Sequence, residues 1–311
     1  MFHGQKDLIG IKQLSRQQIE EILDVAKTMK YIINQPTKRT VYLQGKSIVT
    51  LFCENSTRTK LSFESAVKYM GGMAGSLSTS TSSTQKGESL LDTVKTINQM
   101  GTNCVIIRHS MSGTPEFIGK NVDACIINAG DGMNEHPTQA LLDMFTIMEE
   151  KGKIEGLKVA IVGDIYHSRV ARSDIYALTK LGAKVKISAP ATLLPPYIEK
   201  LGVDVCETVD DAIKDADVVM ALRIQNERQK NGLFPSTDEY SKFFGLNDER
   251  IKLAKPDAIL MHPGPVNRGV ELTPELADSE RAVVLEQVTN GVAVRMAVLN
   301  CFLGGTYEHT N

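Results

Sequence analysis

From Gly45 onward the chain alternates between two textures. Short apolar runs recur: SIVTLF (47–52), CVIIRH (104–109), ACIINA (124–129), KVAIVG (158–163), KVKISA (184–189), DVVMAL (217–222), AILMHP (258–263) and AVVLEQV (282–288). Apart from KVKISA, none shows the strict alternation of a strand with one wet face, so these read as buried strands. Longer stretches with apolar residues three or four apart separate them, the spacing of amphipathic helices. Continuous apolar strands joined by helices predict parallel sheets covered on both faces, with right-handed crossovers. The predicted class is α/β. At 311 residues the chain exceeds one typical core and suits two domains.

Several helix ends are legible. Ser15 and Gln18 form a capping box ahead of an apolar stripe of Ile19, Ile22, Leu23 and Ala26. A helix after Ser56 should run to Met70 and stop at Gly71-Gly72. His136-Pro137 should open another, through Leu141, Leu142 and Phe145 to Lys151-Gly152. About four strands are expected before this helix and five after it, which places the domain boundary near residue 136. A last helix from about Asn290 could cover either domain. The stretch SLSTSTSSTQKGES (76–89) reads as a solvated loop, with Lys86 just ahead of a helix start near Glu88.

Lys and Arg total 35 against 37 Asp and Glu, without a long run of one sign. That argues against a nucleic-acid or membrane-surface protein. The 5 cysteines lie far apart without a Cys-x-x-Cys pair, so buried free thiols are expected in place of a disulfide framework or zinc site. The polar amino terminus and the lack of an 18-residue apolar stretch lead to the expectation of a cytoplasmic protein.

Candidate chemistry gathers where strands end. Ser56-Thr57-Arg58-Thr59 closes an apolar run and opens a helix. A helix start offers unsatisfied N–H groups and partial positive charge, a site for an anion. The alternative is an ordinary capping serine with a surface arginine. Arg108 ends CVIIRH, the position where ligands meet parallel sheets. GDGMNEHPTQ (130–139) brings His136, Thr138 and Gln139 to a helix start. There an imidazole could stabilise developing negative charge, and a carboxamide could recognise an amide. VGDIYHSRVARSD (162–174) has one glycine where a dinucleotide fingerprint needs three, so NAD is not expected; Ser168, Arg169 and Arg172 decorate its helix start. Arg223 and Gln225 follow a strand two residues apart and should face one way. In MHPGPVNRGVE (261–271) two prolines flank Gly264 and remove donors, so a loop carbonyl could serve a ligand. Cations at so many junctions in a near-neutral chain point to an anionic ligand with more than one acidic group.

Taken together, STRT before a helix, RH after a strand, HPTQ at a helix start and HPGP late in the chain resemble the aspartate/ornithine carbamoyltransferase family over nearly the whole length. HPTQ, HPGP, ALRIQNER and the loop Lys86 are similar to the aspartate-specific members. The resemblance implies two doubly wound domains, each a mainly parallel sheet flanked by helices. It implies that the C-terminal helix returns to the first domain, giving residues 1–136 plus 290–311 and residues 137–289. It implies transfer of the carbamoyl group of carbamoyl phosphate to L-aspartate, an early step of pyrimidine (UMP) synthesis, with no metal and no cofactor.

By the same resemblance, Ser56, Thr57, Arg58 and Thr59 should hold the phosphate. Arg108 and His136, with Thr59, should meet the carbamoyl oxygen. Gln139 and the backbone at Gly264-Pro265 should meet the carbamoyl nitrogen. Arg169, Arg223 and Gln225 should hold the aspartate carboxylates. Ser82 and Lys86 should enter from a neighbouring subunit of a homotrimer with shared active sites. Domain closure is expected to accompany binding. Some members bind regulatory chains or a dihydroorotase, which the sequence leaves open. Gly264 stands where a bulkier residue is frequent. An ornithine carbamoyltransferase and a non-catalytic anion-binding homologue are the alternatives.

Overall fold

The structure, a computed structural model, describes residues 2–78, 88–225 and 236–304. The chain divides into two compact units, Met1–Leu141 with Thr289–Asn311, and Leu142–Val288.

In the first unit, α1 (Arg16–Ile33) is followed by β1 (Ser47–Phe52), α2 (Thr57–Tyr69), β2 (Met73–Ser78), α3 (Leu90–Gln99), β3 (Cys104–His109), α4 (Thr114–Gly119) and β4 (Cys125–Asp131). The strands form one parallel sheet in the order β2-β1-β3-β4. The capping box at Ser15 is present: its hydroxyl accepts the Gln18 N–H, and the Gln18 carboxamide accepts the Ser15 N–H. Leu51, Val94, Ile97, Val105, Ile107, Ile118 and Ile126 interlock in a core beside the sheet. Burying each such side chain is worth about 1.5–3 kcal/mol.

The segment ahead of α1 lies along β4. Leu8 donates to the Ile126 carbonyl and accepts from Asn128 N–H, both at 2.9 Å. The Asp7 carboxylate accepts the Ile126 N–H at 2.8 Å. Glu135 reaches across 124 residues of chain to accept the Ile11 N–H at 2.7 Å.

Helix α5 (Pro137–Lys151) runs through the division between the units. The second unit continues with β5 (Lys158–Val162), α6 (Arg169–Lys180), β6 (Lys184–Ser188), β7 (Val203–Val205), α7 (Val209–Ile213), β8 (Val218–Ala221), α8 (Thr237–Phe244), α9 (Asp248–Ile251), β9 (Ile259–Met261) and α10 (Pro274–Ala277). Its parallel sheet has the order β7-β6-β5-β8-β9. Ala160, Val162, Val219, Leu246, Leu260 and Leu272 share its core. The last helix, α11 (Val284–Leu303), ends in the first unit, where Arg295 donates to Ser62 Oγ at 3.0 Å and lies over the Phe63 ring.

Two sequence expectations are corrected. AVVLEQV is not a strand: only its start pairs, through the Ala282–Leu260 bridge, and the chain turns helical at Val284. Val283, Gln287 and Asn290 are buried while Leu285 is exposed, the spacing of a helix whose first turn happens to be apolar. The strand β2 was unanticipated because MAGSLS carries little of the β-branched and aromatic character that marks a strand.

Candidate active site

Both sheets share one winding. From β1 the chain adds β2 on one side and β3 then β4 on the other; from β5 it adds β6 and β7 on one side and β8 and β9 on the other. The reversal points are β1/β3 and β5/β8. Loops leaving the carboxyl ends of strands diverge there and open a crevice. The Ser56–Thr59 segment and Arg108 lie at the first of these and Arg169, Arg223 and Gln225 at the second, while His136 and Gln139 follow the adjacent β4 and Gly264 and Pro265 the adjacent β9.

In the first unit, Phe52 pairs with Arg108 and the Cys53 N–H donates to the Arg108 carbonyl at 2.8 Å, so the loop into α2 begins beside Arg108. Ser56 takes the N-cap position of α2, yet its side chain makes no capping hydrogen bond. Ser15, Ser89, Ser168 and Ser236 each cap their helices by accepting a backbone N–H. The Ser56 hydroxyl is therefore not committed to its own helix, which favours the anion reading over the ordinary cap. Thr57 and Arg58 are exposed and Thr59 is buried one turn inside.

The Arg108 guanidinium donates to the Ala129 carbonyl at 3.2 Å and pairs with Glu54 at 3.4 Å, both side chains largely buried. On the neighbouring strand, Asp131 is fully buried and its two oxygens receive the Asn128 and Asn134 side chains and the Gly113 and Glu135 N–H groups. This cluster fixes the turn leading to His136 and Gln139, which sit at the start of α5, both buried. His109, beside it, is held below the ordinary imidazole range by burial, against the opposing pull of Glu54 and Asp131.

In the second unit, Ser168 caps α6 by accepting the Ala171 N–H at 3.1 Å, and the first helical residue is Arg169, 3 % exposed. Gly163 precedes this loop at φ 130°; a Cβ there would lie 2.7 Å from the Leu222 carbonyl, so only glycine lets the ends of β5 and β8 approach this closely. Asp164, fully buried, accepts the His167 N–H at 3.1 Å, holds its imidazole at 2.9 Å, and accepts the Gln225 N–H at 3.4 Å. Leu222 and Ile224 are buried while Arg223 and Gln225 are partly exposed, so the two polar residues share a face as period-2 geometry predicts. Gly264 and Pro265 follow β9. Tyr240 stands near both Asp164 and Glu271: burial first, then those two charges, pushes its hydroxyl well above the ordinary phenol range.

Arg58 and Arg108 with His136 and Gln139 thus collect at one sheet, and Arg169, Arg223 and Gln225 with Gly264 at the other. Ser82 and Lys86 lie outside the described residues. Sequence reasoning missed Glu54, Asp131, Asp164, His167 and the pair His262–Glu271. Asp131 and Asp164 each follow a glycine at a strand end, a signal that could have found them. Among the described residues, no helix is long and apolar enough to cross a membrane and no cluster of candidate metal ligands occurs.

Two family profiles match the chain: aspartate/ornithine carbamoyltransferase, carbamoyl-P binding domain, over residues 6–149, and the Asp/Orn binding domain over residues 155–302. The aspartate carbamoyltransferase catalytic subunit of Ruminiclostridium cellulolyticum is 64% identical over 294 residues, 94% of each chain. That of Acetivibrio thermocellus is 63% identical over the same span, again 94% of each. Among solved structures, aspartate transcarbamoylase from Trypanosoma cruzi in complex with carbamoyl phosphate has a TM-score of 0.88 at 31% identity, covering 96% of this chain and 97% of that one. Ornithine carbamoyltransferase from Pyrococcus furiosus has a TM-score of 0.83 at 32% identity, covering 94% and 96%. The backbone is thus common to both specificities, and the chain belongs to the aspartate/ornithine carbamoyltransferase family.

Proposed function

We propose that the chain is an aspartate carbamoyltransferase catalytic chain, converting carbamoyl phosphate and L-aspartate to N-carbamoyl-L-aspartate and phosphate in pyrimidine synthesis. The observation that carries the residue assignment is Ser56: a hydroxyl at a helix start that does not cap its helix, next to Arg58 and one strand from Arg108. The names of relatives 64% and 63% identical support the choice of aspartate as acceptor.

In this reading the start of α2, with Ser56, Thr57, Arg58 and Thr59, holds the phosphate by N–H groups, hydroxyls and a guanidinium. Thr59, Arg108 and His136 donate to the carbamoyl oxygen. Gln139 and the Gly264 carbonyl, next to Pro265, accept from the carbamoyl nitrogen. Arg169 and Arg223, with Gln225, hold the two carboxylates of aspartate. The amine attacks the carbamoyl carbon, negative charge grows on the carbonyl oxygen, and each preorganised donor there is worth about 3 kcal/mol. The C–O bond to phosphate then breaks, with Arg58 and the helix start answering the growing charge. The departing phosphate accepts the amine proton, so no protein nucleophile is required. Orientation of two bound reactants supplies a further 7–11 kcal/mol or so in favourable cases.

Ser82 and Lys86 are assigned to the site of a neighbouring copy in a cytoplasmic homotrimer. The deciding experiment supplies carbamoyl phosphate with either L-aspartate or L-ornithine and separates the products. N-carbamoyl-L-aspartate alone is expected. Citrulline alone refutes the acceptor, and neither product refutes the enzymatic reading.

A further inference from the structure

His262 follows β9 and is 1 % exposed. Its Nδ1 accepts the Gly264 N–H at 2.8 Å. A backbone amide can only donate, so Nδ1 carries no proton. The ring proton therefore resides on Nε2, which donates to Oε1 of Glu271 at 3.2 Å. The same carboxylate oxygen accepts the Asn267 N–H at 2.6 Å, so Glu271 grips the turn on its far side as well. Behind the imidazole, the His262 N–H donates to Gln287 Oε1 at 3.0 Å, and the Gln287 amide donates to the buried Asp143 at 2.7 Å. Imidazole and backbone of His262 are both fixed from inside the unit.

The consequence reaches Gly264. A peptide unit is planar, so tying the Gly264 N–H orients the whole Pro263–Gly264 plane. Gly264 has φ 64°, a conformation in which an L side chain is strained. With that plane and φ set, ψ of Gly264 is the single soft rotation left between the imidazole and the Gly264 carbonyl.

We propose that His262 is a positioning residue: held as its Nε2–H tautomer by Glu271, it aims the Gly264 carbonyl and thereby sets the preference for a substrate carrying –NH2 beside its reacting carbonyl. The inference rests on the reading that gives this carbonyl to the carbamoyl nitrogen. Acetyl phosphate is the matched probe, because a methyl group replaces the amide donor.

Calorimetric binding of carbamoyl phosphate and of acetyl phosphate is compared for the wild type, His262→Asn and His262→Gln. Asn sets an oxygen near the place of Nδ1 and can still accept the Gly264 N–H. Gln sets its amide near Nε2 and leaves that N–H unanswered. One lost hydrogen bond corresponds to about a tenfold change. The wild type and His262→Asn should therefore favour carbamoyl phosphate by about tenfold or more, and His262→Gln should lose most of that preference. A wild type that binds both probes equally refutes the Gly264 reading itself. A wild type that discriminates, with His262→Gln discriminating as well, overturns this inference alone. Should a variant fail to fold, solid-state NMR of the wild type labelled with 15N-histidine reads the tautomer directly. A bare Nδ1 at His262 supports the proposal, and a protonated Nδ1 overturns it.

Discussion

Asp131 accepts the Gly113 N–H at 2.7 Å through one carboxylate oxygen, while its other oxygen accepts the Glu135 N–H at 3.1 Å. Asn134 adds a donor to the first oxygen and Asn128 one to the second. A carboxamide in place of this carboxylate would, in either orientation, turn its –NH2 toward two donors. Asp131→Asn should cost about 2–3 kcal/mol. Urea denaturation should show an earlier midpoint, and kcat should fall with it, because the cluster shapes the approach to His136.

Ser56 and Ser168 occupy equivalent helix starts but differ in what their hydroxyls do. Ser168→Ala should lower stability by about 1 kcal/mol, the ordinary cost of a lost cap. Ser56→Ala should leave the unfolding midpoint within about 0.5 kcal/mol of wild type and raise KM for carbamoyl phosphate about tenfold. Arg58→Ala should reduce kcat/KM by about a hundredfold or more, from loss of a charged two-pronged contact. Steady-state kinetics beside thermal melts separates the outcomes.

Asp174 on α6 is fully buried next to Asp143 on α5. Burial, then the nearby charge of Asp143, pushes the Asp174 carboxyl well up. A carboxyl raised in the folded state contributes stability that is complete below its unfolded pKa, about 4, and is lost as pH rises through its folded value. Asp174→Asn stays neutral throughout. Its melting temperature should match wild type near pH 4 and exceed it progressively as pH increases. Melts across a pH series check the sign, and a constant offset would contradict the pairing.

Gly264→Ala places a side chain on a backbone with φ 64°. The strain should cost about 1–2 kcal/mol. Because the proposed contact is made by backbone, carbamoyl phosphate should still bind, with affinity reduced less than by His262→Gln. Titration calorimetry of both variants ranks them.

What the sequence disclosed was local. Parallel strands such as KVAIV announced themselves because burial on both faces leaves no polar alternation, and the Ser15–Gln18 capping box because its partners are three residues apart. AVVLEQV misled because an apolar helix start and a buried strand have the same composition over seven residues, and only the burial of Val283, Gln287 and Asn290 separates them. Arg108 and Arg169 were placed correctly at element ends, since strand ends and helix starts are written in short motifs. The contacts that shape the neighbouring turns were invisible. Asp164 meets Gln225 across 61 residues and Glu135 meets Ile11 across 124, and hydrogen bonds over such separations leave no periodicity to read.

The lacing of residues 7–11 onto β4 and Glu135 bears on how this protein should be handled in the laboratory. Glu135 directly precedes His136, so a cloning strategy that trims or crowds the amino end would disturb the turn that carries His136 from more than a hundred positions away in the chain. Affinity handles therefore belong on a spacer ahead of Phe2, which is itself buried against Phe302, and a weakly active preparation clipped past Ile11 is a damaged catalyst, to be told apart from a poor one.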